Sequence, residues 1–299
     1  MITQHPPATL HPATTTVTAA PDGVPLAVRR WEPEDVRAAV FYVHGLQSHA
    51  GWLFETGPEL AARGCAVYAA DRRGSGSSGG PRGHLTSARE VLDDYAAHFE
   101  AVRARCPGVP VVAVGQSFGG SVLAALLSTG RIAPDAVVLC APALGQQHRR
   151  HGSDGTARIQ RQRGLRRSPV TLRDEDYTGD HTYLSFMAND HLMLRQVTEG
   201  FRAVMVDLES LYREAGPWHG GRPDVPVYFV RPERDAVIDL ETSAEVLARL
   251  SPGFTEVRFC SDHHYLEFSA ARKPLWDWLA GVAVPDPAVP DPAGRTDHR

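Results

Sequence analysis

Short apolar runs alternate with longer amphipathic segments along most of the chain. Six of these runs are rich in β-branched and aromatic residues, and they span residues 38–45, 65–71, 109–117, 135–142, 225–232 and 255–260. Runs that are apolar at nearly every position fit strands that are buried on both faces of a parallel sheet. The pattern therefore predicts an α/β fold, with a mostly parallel central sheet flanked by helices.

Several segments between these runs carry the signals of helices. The segment from Ser87 to Pro107 begins with a Ser-x-x-Glu capping box, and apolar residues recur through it at helical spacing, namely Val91, Tyr95, Phe99 and Val102. Residues 239–250 and 269–281 follow the same pattern, and Asp239 suits the N-cap of the first of them. These helices are expected to pack against the sheet.

The alternation stops between about residues 145 and 222. The first part of this stretch is polar and rich in arginine, and the second part is more apolar, with several Met and aromatic residues. A stretch of this length between two strands is too long for a plain crossover, so a mostly helical cap over the end of the sheet is expected. The Met and aromatic side chains of this cap would either pack against the core or line a pocket.

The domain boundaries follow from these segments. Residues 14–144 and 223–283 are expected to form the core, with residues 145–222 as the cap. The two ends of the chain, 1–13 and 284–299, are rich in Pro, Ala and Asp, a composition that does not form a core. They are expected to be flexible tails.

Composition and charge narrow the class of protein. The 299 residues include 31 basic and 35 acidic side chains, for a formal net charge of -4, and no basic run suggests a nucleic acid or an anionic membrane as partner. No secretory signal is visible, and no apolar stretch approaches the roughly 20 residues of a membrane-spanning helix. A cytoplasmic protein without stable membrane insertion is expected. The 4 cysteines are widely spaced and form no metal or redox motif, which indicates buried free thiols rather than disulfides.

The most informative motif is Gly-Gln-Ser-Phe-Gly at residues 115–119. It lies between an apolar run and a helix-forming stretch, which is the context of the Gly-x-Ser-x-Gly nucleophile elbow. The turn is so tight that a side chain at either flanking glycine would collide with neighbouring backbone. The following helix directs its positive end towards Ser117, where an oxyanion would form. Ser117 is therefore predicted to be a catalytic nucleophile.

A nucleophilic serine needs a histidine base and a carboxylate that orients the histidine. In enzymes that carry this elbow on an α/β sheet, the chain order is Ser, acid, His. Of the three acidic residues after the run at 225–232, Glu233 is too close to the strand exit and Asp239 suits a helix cap, so Asp235 is the predicted acid. The base should follow the run at 255–260, where His263 and His264 stand side by side.

The loop after the first apolar run supplies the remaining parts of the site. In this fold the oxyanion hole is made by the backbone NH of the residue after the nucleophile and by an NH of that loop. The predicted donors are therefore Phe118 and Leu46. His44 precedes the nucleophile in the chain and is interpreted as a residue that orders the loop, while His49 receives no role.

Five motifs occur in an order and spacing that resemble a known family. They are VHGLQSHAGW, DRRGSGSSGGPRGH (71–84), GQSFGG, RPERDAVID and SDHHYLEF. The chain resembles the monoacylglycerol lipase-like α/β-hydrolases, which are also described as lysophospholipase-like or serine aminopeptidase-like. The resemblance covers about residues 24–281 and implies an α/β-hydrolase fold with a helical cap inserted after the sixth strand. It also implies that Ser117, Asp235 and a histidine form the triad.

The resemblance favours one histidine and leaves the substrate open. The family often has His-x-Leu at the base, which favours His264 over His263. The chain departs from the family at Gln116 and Phe118, around the nucleophile, and in having a histidine before the base. These departures leave the triad intact but weaken the case for a monoacylglycerol as the substrate.

The expected activity is that of a serine hydrolase acting on a small-molecule carboxylic ester or thioester, without a cofactor or metal. A thioesterase, an acyltransferase or a cyclase would use the same triad. A peptidase needs an acidic site for the amino terminus of its substrate, and the candidates in the cap, Asp174, Glu175 and Asp176, lie in one polar run without further support. A receptor that keeps the fold without catalysis belongs to a different class of protein. The arginines of the cap would either recognise an anionic group or form a solvated edge; they are Arg149, Arg150, Arg158, Arg161, Arg163, Arg166 and Arg167.

Overall fold

In the computed structural model, which describes residues 13–218 and 225–284, eight strands form one central sheet. The strands in chain order are β1 (Thr14–Ala19), β2 (Pro25–Trp31), β3 (Ala38–Val43), β4 (Cys65–Ala70), β5 (Val111–Gln116), β6 (Ala136–Cys140), β7 (Arg167–Pro169), β8 (Gln196–Thr198), β9 (Val227–Pro232) and β10 (Thr255–Phe259). Across the sheet they lie in the order β1-β2-β4-β3-β5-β6-β9-β10, and β7 pairs with β8 in a separate ribbon. Within the eight-stranded sheet, only the pairs made by β2 are antiparallel, and the β7-β8 ribbon is antiparallel as well.

This strand order places a switch point in the middle of the sheet. β3 lies between β4 and β5, so the connections that leave these strands run to opposite sides. In open α/β sheets, ligands bind at such a point, outside the carboxyl ends of the strands. The loops after β3 and β5 are therefore the expected position of a functional site.

All six strands predicted from apolar runs are present. Every residue of β3, β4 and β5 is buried, and the side chains of β3 alternate between two hydrophobic clusters on the two faces of the sheet. β1 and β2 were not predicted. β1 lies at the edge of the sheet and is almost entirely exposed, so its sequence TTTVTA has no apolar run to reveal it.

Helices cover both faces of the sheet. The helices of this layer are α1 (Thr56–Ala62), α2 (Ala88–Arg105), α3 (Phe118–Ser128), α8 (Leu240–Leu250) and α9 (Arg272–Ala283). The apolar faces of α1 and α9 belong to one cluster, and those of α2, α3 and α8 to the other. The predicted N-cap bonds are present: the Ser87 side chain accepts from the Glu90 NH, and the Asp239 side chain accepts from the Thr242 NH. The Glu90 carboxylate of the predicted capping box contacts Arg73.

The segment between β6 and β9 is mostly helical, as predicted. It contains α4 (Gln146–Arg161), α5 (Asp174–Tyr177), α6 (His181–Asn189) and α7 (Glu199–Glu214), together with the β7-β8 ribbon. We call its described part, residues 145–218, the cap segment. The predicted end of the cap at residue 222 lies outside the described residues, as do the predicted tails apart from Ala13 and Val284.

The Met and aromatic residues of the cap segment serve mainly in packing. Phe201 and Tyr212 of α7 join the core cluster that includes α2 and α3. A third cluster joins the cap segment to loops of the core, and its members are Trp52, Tyr177, Tyr183, Met187, Met193, Tyr265 and Phe268. Met205 and Tyr177 also line a cavity described below. No described helix combines the length and the apolar character that a transmembrane span requires.

The cysteines follow the sequence interpretation with one difference. All four lie in the described part of the chain and are free thiols. Cys65, Cys106 and Cys140 are buried, whereas Cys260, just after the edge strand β10, is exposed. Burial raises the pKa of the Cys65 thiol to about 11, which keeps it protonated at neutral pH.

Candidate active site

The turn between β5 and α3 holds Ser117 in a strained conformation. Its backbone φ is 54° and its ψ is -119°, a combination that is costly for a residue with a side chain. Its NH donates to the Cys140 carbonyl (2.9 Å), and its carbonyl accepts from the NH groups of Gly120 and Ala143 (2.9 Å each). These three bonds fix the strained turn and present the side chain at the carboxyl end of β5.

The flanking glycines are required for the steric reason that the sequence predicts. A Cβ atom at Gly115 would lie 2.8 Å from the Gly119 carbonyl oxygen, and one at Gly119 would collide with the carbonyl oxygen of Val43. Backbone from β3 therefore passes directly against the elbow. This close approach brings the loop after β3 beside Ser117.

Asp235 and His264 form a buried pair. His264 Nδ1 lies 2.7 Å from Asp235 Oδ2, and the two side chains are 0% and 1% exposed. The NH groups of Val237 and Ile238 donate to Asp235 Oδ1 at 2.8 and 3.0 Å. Burial alone would raise the pKa of Asp235, but the charge and hydrogen bond of His264 and these NH groups lower it below its ordinary value. An ionised Asp235 accepts the Nδ1 proton, so that the lone pair of His264 is on Nε2, where it can act as a base.

The adjacent histidines differ in their environment. His264 is buried, its ring contacts Asp235, and its Nε2 lies 3.4 Å from the Gln116 side-chain nitrogen, beside the elbow. His263 is partly exposed, and its ring lies beside the backbone of Gly179 in the cap segment. Only His264 is thus placed between the carboxylate and the elbow.

The other acidic candidates have different partners. Asp239 caps α8 and pairs with Arg149 at 2.6 Å. Glu233 is exposed at the strand exit, where its backbone NH donates to Ser261. The structure therefore brings Asp235, and neither of these two carboxylates, to the histidine.

The predicted oxyanion donors lie in the same cavity as Ser117. Leu46, in the loop after β3, and Phe118, the first residue of α3, both line it. The first NH groups of a helix have no acceptor within the helix, which applies to the NH of Phe118 as the first residue of α3. The cavity has a volume of about 110 Å³ and lies between the elbow and the cap segment; its described lining is Leu46, Ser117, Phe118, Ala143, Gln146, Gln147, Arg150, His151, Val170, Thr171, Leu172, Tyr177, Val197, Arg202, Met205, Val237 and Ile238.

Arg72 received no role from the sequence, but in the structure it holds the loop after β3, which carries Leu46. Its guanidinium donates to the carbonyls of Gly45 (3.1 Å) and Leu46 (2.9 Å), and it stacks over the rings of Phe118 (5.2 Å) and Phe201 (5.3 Å). Burial lowers the pKa of Arg72, yet a guanidinium remains charged at neutral pH. Arg72 thus fixes the carbonyls of this loop and places a positive charge behind it. The only sequence signal was its position in the motif at residues 71–84.

His44 orders the loop, as predicted. Its Nδ1 donates to the Gly45 carbonyl at 2.8 Å, and its Nε2 accepts from the Arg72 NH at 2.9 Å. Burial and the charge of Arg72 hold the pKa of His44 well below its ordinary value, so the ring is neutral. Both ring nitrogens are occupied by backbone groups, which removes His44 as a competing base.

The cap segment is bonded to the same loop at several points. The Gln47 side chain accepts from the Tyr177 hydroxyl (2.8 Å) and donates to the Leu194 carbonyl (3.1 Å). His49, which had no predicted role, contacts Asp190 of the cap segment (3.0 Å). The base is held in the same way, because the His264 NH donates to the Asp176 carbonyl (3.1 Å) and the Tyr177 ring packs edge-on against the imidazole.

The Asp190 carboxylate makes one of these contacts between the cap segment and the loop after β3, so replacing it should destabilise the protein. Its carboxylate accepts from His49, from the Trp52 indole NH (2.8 Å) and from the Leu192 NH (2.9 Å). Asp190→Asn places an NH₂ group opposite these donors, and we expect the free energy of unfolding to fall by about 1.5–3 kcal/mol. Urea denaturation at neutral pH measures this loss.

The matched control is Asp180→Asn, because asparagine caps a helix as well as aspartate does and Asp180 caps α6.

Burial would raise the pKa of Asp190, but the His49 and Trp52 bonds outweigh it and lower the pKa to about 2. Its contribution is therefore complete above about pH 4 and is lost as the pH falls towards 2. Equal stabilities of the Asp190→Asn variant and the parent at neutral pH would contradict this role.

The fold and the site together define the class of this protein. The strand order, the Gly-x-Ser-x-Gly elbow after β5 and the Asp-His pair after β9 and β10 are the features of an α/β-hydrolase. A family model described as "Serine aminopeptidase, S33" matches residues 34–261, well over half of the chain. The chain belongs to this family.

Proteins described as monoacylglycerol or monoglyceride lipases are similar to this chain. The enzyme of Mycolicibacterium smegmatis is 33% identical over 123 residues, which are 41% of this chain and 44% of that protein. The human enzyme is 32% identical over 102 residues, 34% of each protein. The chain thus matches less than half the length of these relatives. The crystal structure of the Paleococcus ferrophilus lipase has a TM-score of 0.73 at 21% identity and covers 87% of this chain and 98% of that one. The predicted α/β-hydrolase fold and family resemblance are confirmed.

Proposed function

We propose that this protein is a serine hydrolase that cleaves a carboxylic ester or thioester through an acyl-enzyme. The observation that carries the proposal is the buried His264-Asp235 pair, 2.7 Å apart, whose imidazole contacts Gln116, the residue before the strained Ser117. The Ser117 side chain lines a cavity. An imidazole held by an ionised carboxylate at Nδ1 is ready to take a proton at Nε2. Similarity to monoacylglycerol and monoglyceride lipases supports an acyl ester as the substrate.

The proposed mechanism has two halves. Ser117 Oγ attacks the acyl carbonyl while His264 Nε2 takes its proton, and the NH groups of Leu46 and Phe118 stabilise the oxyanion. Collapse of the tetrahedral intermediate breaks the ester bond, and His264 returns the proton to the leaving alcohol or thiol. Water then attacks the acyl-enzyme with His264 as base, which releases the acid and regenerates Ser117.

The cavity supports an ester or a thioester more than a peptide. Recognition of a peptide amino terminus needs a carboxylate, and no Asp or Glu is among the described residues that line this cavity. Two of the three acidic candidates of the cap segment are engaged elsewhere, because Asp174 pairs with Arg195 and Asp176 pairs with Arg173. A thioesterase or an acyltransferase would use the same catalytic groups. Whether water or another acceptor takes the acyl group from Ser117 would distinguish a hydrolase from an acyltransferase.

A fluorophosphonate probe and a substrate panel test the proposal. The probe is expected to label Ser117 in the folded protein, with the modified peptide identified by mass spectrometry. The panel compares a monoacylglycerol, a p-nitrophenyl ester and an acyl thioester with a proline p-nitroanilide, and we expect turnover of esters or thioesters only. A folded protein without labelling or turnover would contradict the proposal and support a non-catalytic ligand receptor.

A further inference from the structure

The cavity beside Ser117 combines an apolar wall with two arginines. Arg150 of α4 and Arg202 of α7 line it together with the elbow. Most of the remaining wall is apolar, and it includes Ala143, Val170, Leu172, Val197, Met205, Val237 and Ile238. The described lining has basic side chains and no acidic ones, so its charge is positive.

Arg150 and Arg202 differ from several other arginines of the cap segment in having no carboxylate partner among the described residues. The arginines of the cap segment that have a carboxylate partner are Arg149 with Asp239, Arg163 with Asp207, Arg166 with Glu199, Arg173 with Asp176 and Arg195 with Asp174. Within residues 13–218 and 225–284, neither Arg150 nor Arg202 forms an ion pair with a carboxylate. The positive charge on the cavity wall is therefore not neutralised by the described part of the protein.

Neutral groups hold both guanidinium groups in place. Arg150 donates from Nη2 to the Val237 carbonyl at 3.0 Å. Arg202 donates from Nε to the Ser168 hydroxyl and from Nη2 to the Pro169 carbonyl, both at 3.0 Å. A guanidinium has five N–H donors, so these contacts orient each arginine and leave donors for a ligand. Arg202 is anchored in this way to the β7-β8 ribbon, at one edge of the cavity.

The charges of Arg150 and Arg202 both act on the part of the cavity wall that holds His151. His151 follows Arg150 in α4 and also lines the cavity. Burial, together with the charges of Arg150, Arg158 and Arg202, lowers the pKa of His151. Arginines from two different helices therefore produce a positive potential at the same part of the wall, which favours an anion there.

We propose that Arg150 and Arg202 form a subsite for an anionic oxygen group, a phosphate or a carboxylate, carried by the ester substrate. Guanidinium groups bind both kinds of anion through paired hydrogen bonds, and the adjacent apolar wall suits the acyl chain. This inference rests on the proposed hydrolase function and adds a substrate class to it, namely esters in which the charged group and the scissile carbonyl share one cavity.

Two pairs of substrates test the proposal, each with a neutral and an anionic member. Octanoylglycerol and octanoylglycerol 3-phosphate place the anion on the alcohol side, and p-nitrophenyl pentanoate and mono-p-nitrophenyl pentanedioate place it on the acyl side. We expect the double variant Arg150→Gln/Arg202→Gln to lower kcat/KM for the anionic member of at least one pair by about 10- to 100-fold. The neutral member of that pair should change by less than about threefold.

The control double variant is Arg163→Gln/Arg166→Gln, which removes the same charge from arginines that have carboxylate partners. It should reduce the selectivity for the anionic member by less than about threefold, and added NaCl should raise KM for that member only when Arg150 and Arg202 are present. Equal losses on neutral and anionic members, or an equal effect of the control variant, would overturn the subsite.

A binding measurement separates failure of the subsite from failure of the hydrolase proposal. Ser117→Ala protein is titrated calorimetrically with octanoylglycerol 3-phosphate, with and without the Arg150→Gln/Arg202→Gln changes. Binding that weakens at least tenfold with these changes supports the subsite even if no ester is turned over. Unchanged affinity overturns the subsite while leaving ester hydrolysis by Ser117 intact.

Discussion

Replacing Ser117 with alanine is expected to lower kcat/KM for a p-nitrophenyl ester by about 10⁴- to 10⁶-fold. The strained elbow places this hydroxyl in the cavity, and the proposed mechanism gives no other group the attack on the acyl carbonyl. The variant should fold, because alanine keeps the Cβ and the backbone bonds of the turn. Steady-state kinetics on the parent and the variant, with circular dichroism to check folding, measure the loss.

The matched control for this change is Ser121→Ala, in helix α3, which follows the turn that holds Ser117. The Ser121 hydroxyl is also buried, but it donates to the Ala143 carbonyl at 2.6 Å and serves the helix packing. This variant should lose some stability and keep kcat/KM within about threefold of the parent. Full turnover by Ser117→Ala would show that the proposed nucleophile is wrong.

The second large effect is expected at the paired histidines. His264→Ala should lower kcat by about 10³- to 10⁵-fold because it removes the base that Asp235 orients. His263→Ala should lower kcat less than about tenfold, because the His263 ring faces Gly179 and not the carboxylate. The two variants have the same composition and neighbouring positions, so each is the control for the other. The reverse order of losses would transfer the role of base to His263.

The six buried strands could be predicted because burial on both faces makes a run apolar at nearly every position. The exposed edge strand β1 has no such run, and its existence depends on pairing with β2. Ser117 could be predicted because its motif is local: the elbow needs small residues on both sides of the nucleophile within one short turn. The choice between His263 and His264 depended on the direction of each side chain, which the loop backbone decides.

Contacts between distant parts of the chain could not be predicted. The sequence shows an arginine-rich cap, but whether an arginine is neutralised depends on carboxylates such as Asp207 and Asp239, which other helices supply. The signal for Arg202 was missing for the same reason, since it is an ordinary helical residue until the fold brings it and Arg150 to the wall of one cavity. The role of Arg72 could not be predicted either, because it depends on hydrogen bonds to the loop after β3, which is distant in the chain.

The hydrogen bonds between the cap segment and the loop after β3 limit how the specificity of this protein could be re-engineered. Gln47 and His49 are buried, and their partners Tyr177, Leu194 and Asp190 all belong to the cap segment. A chimera that receives a foreign cap would leave these polar side chains without partners and release the loop that carries Leu46. Specificity should therefore be altered by substitutions in the cavity wall, and any transplanted cap should be accompanied by its own version of this loop.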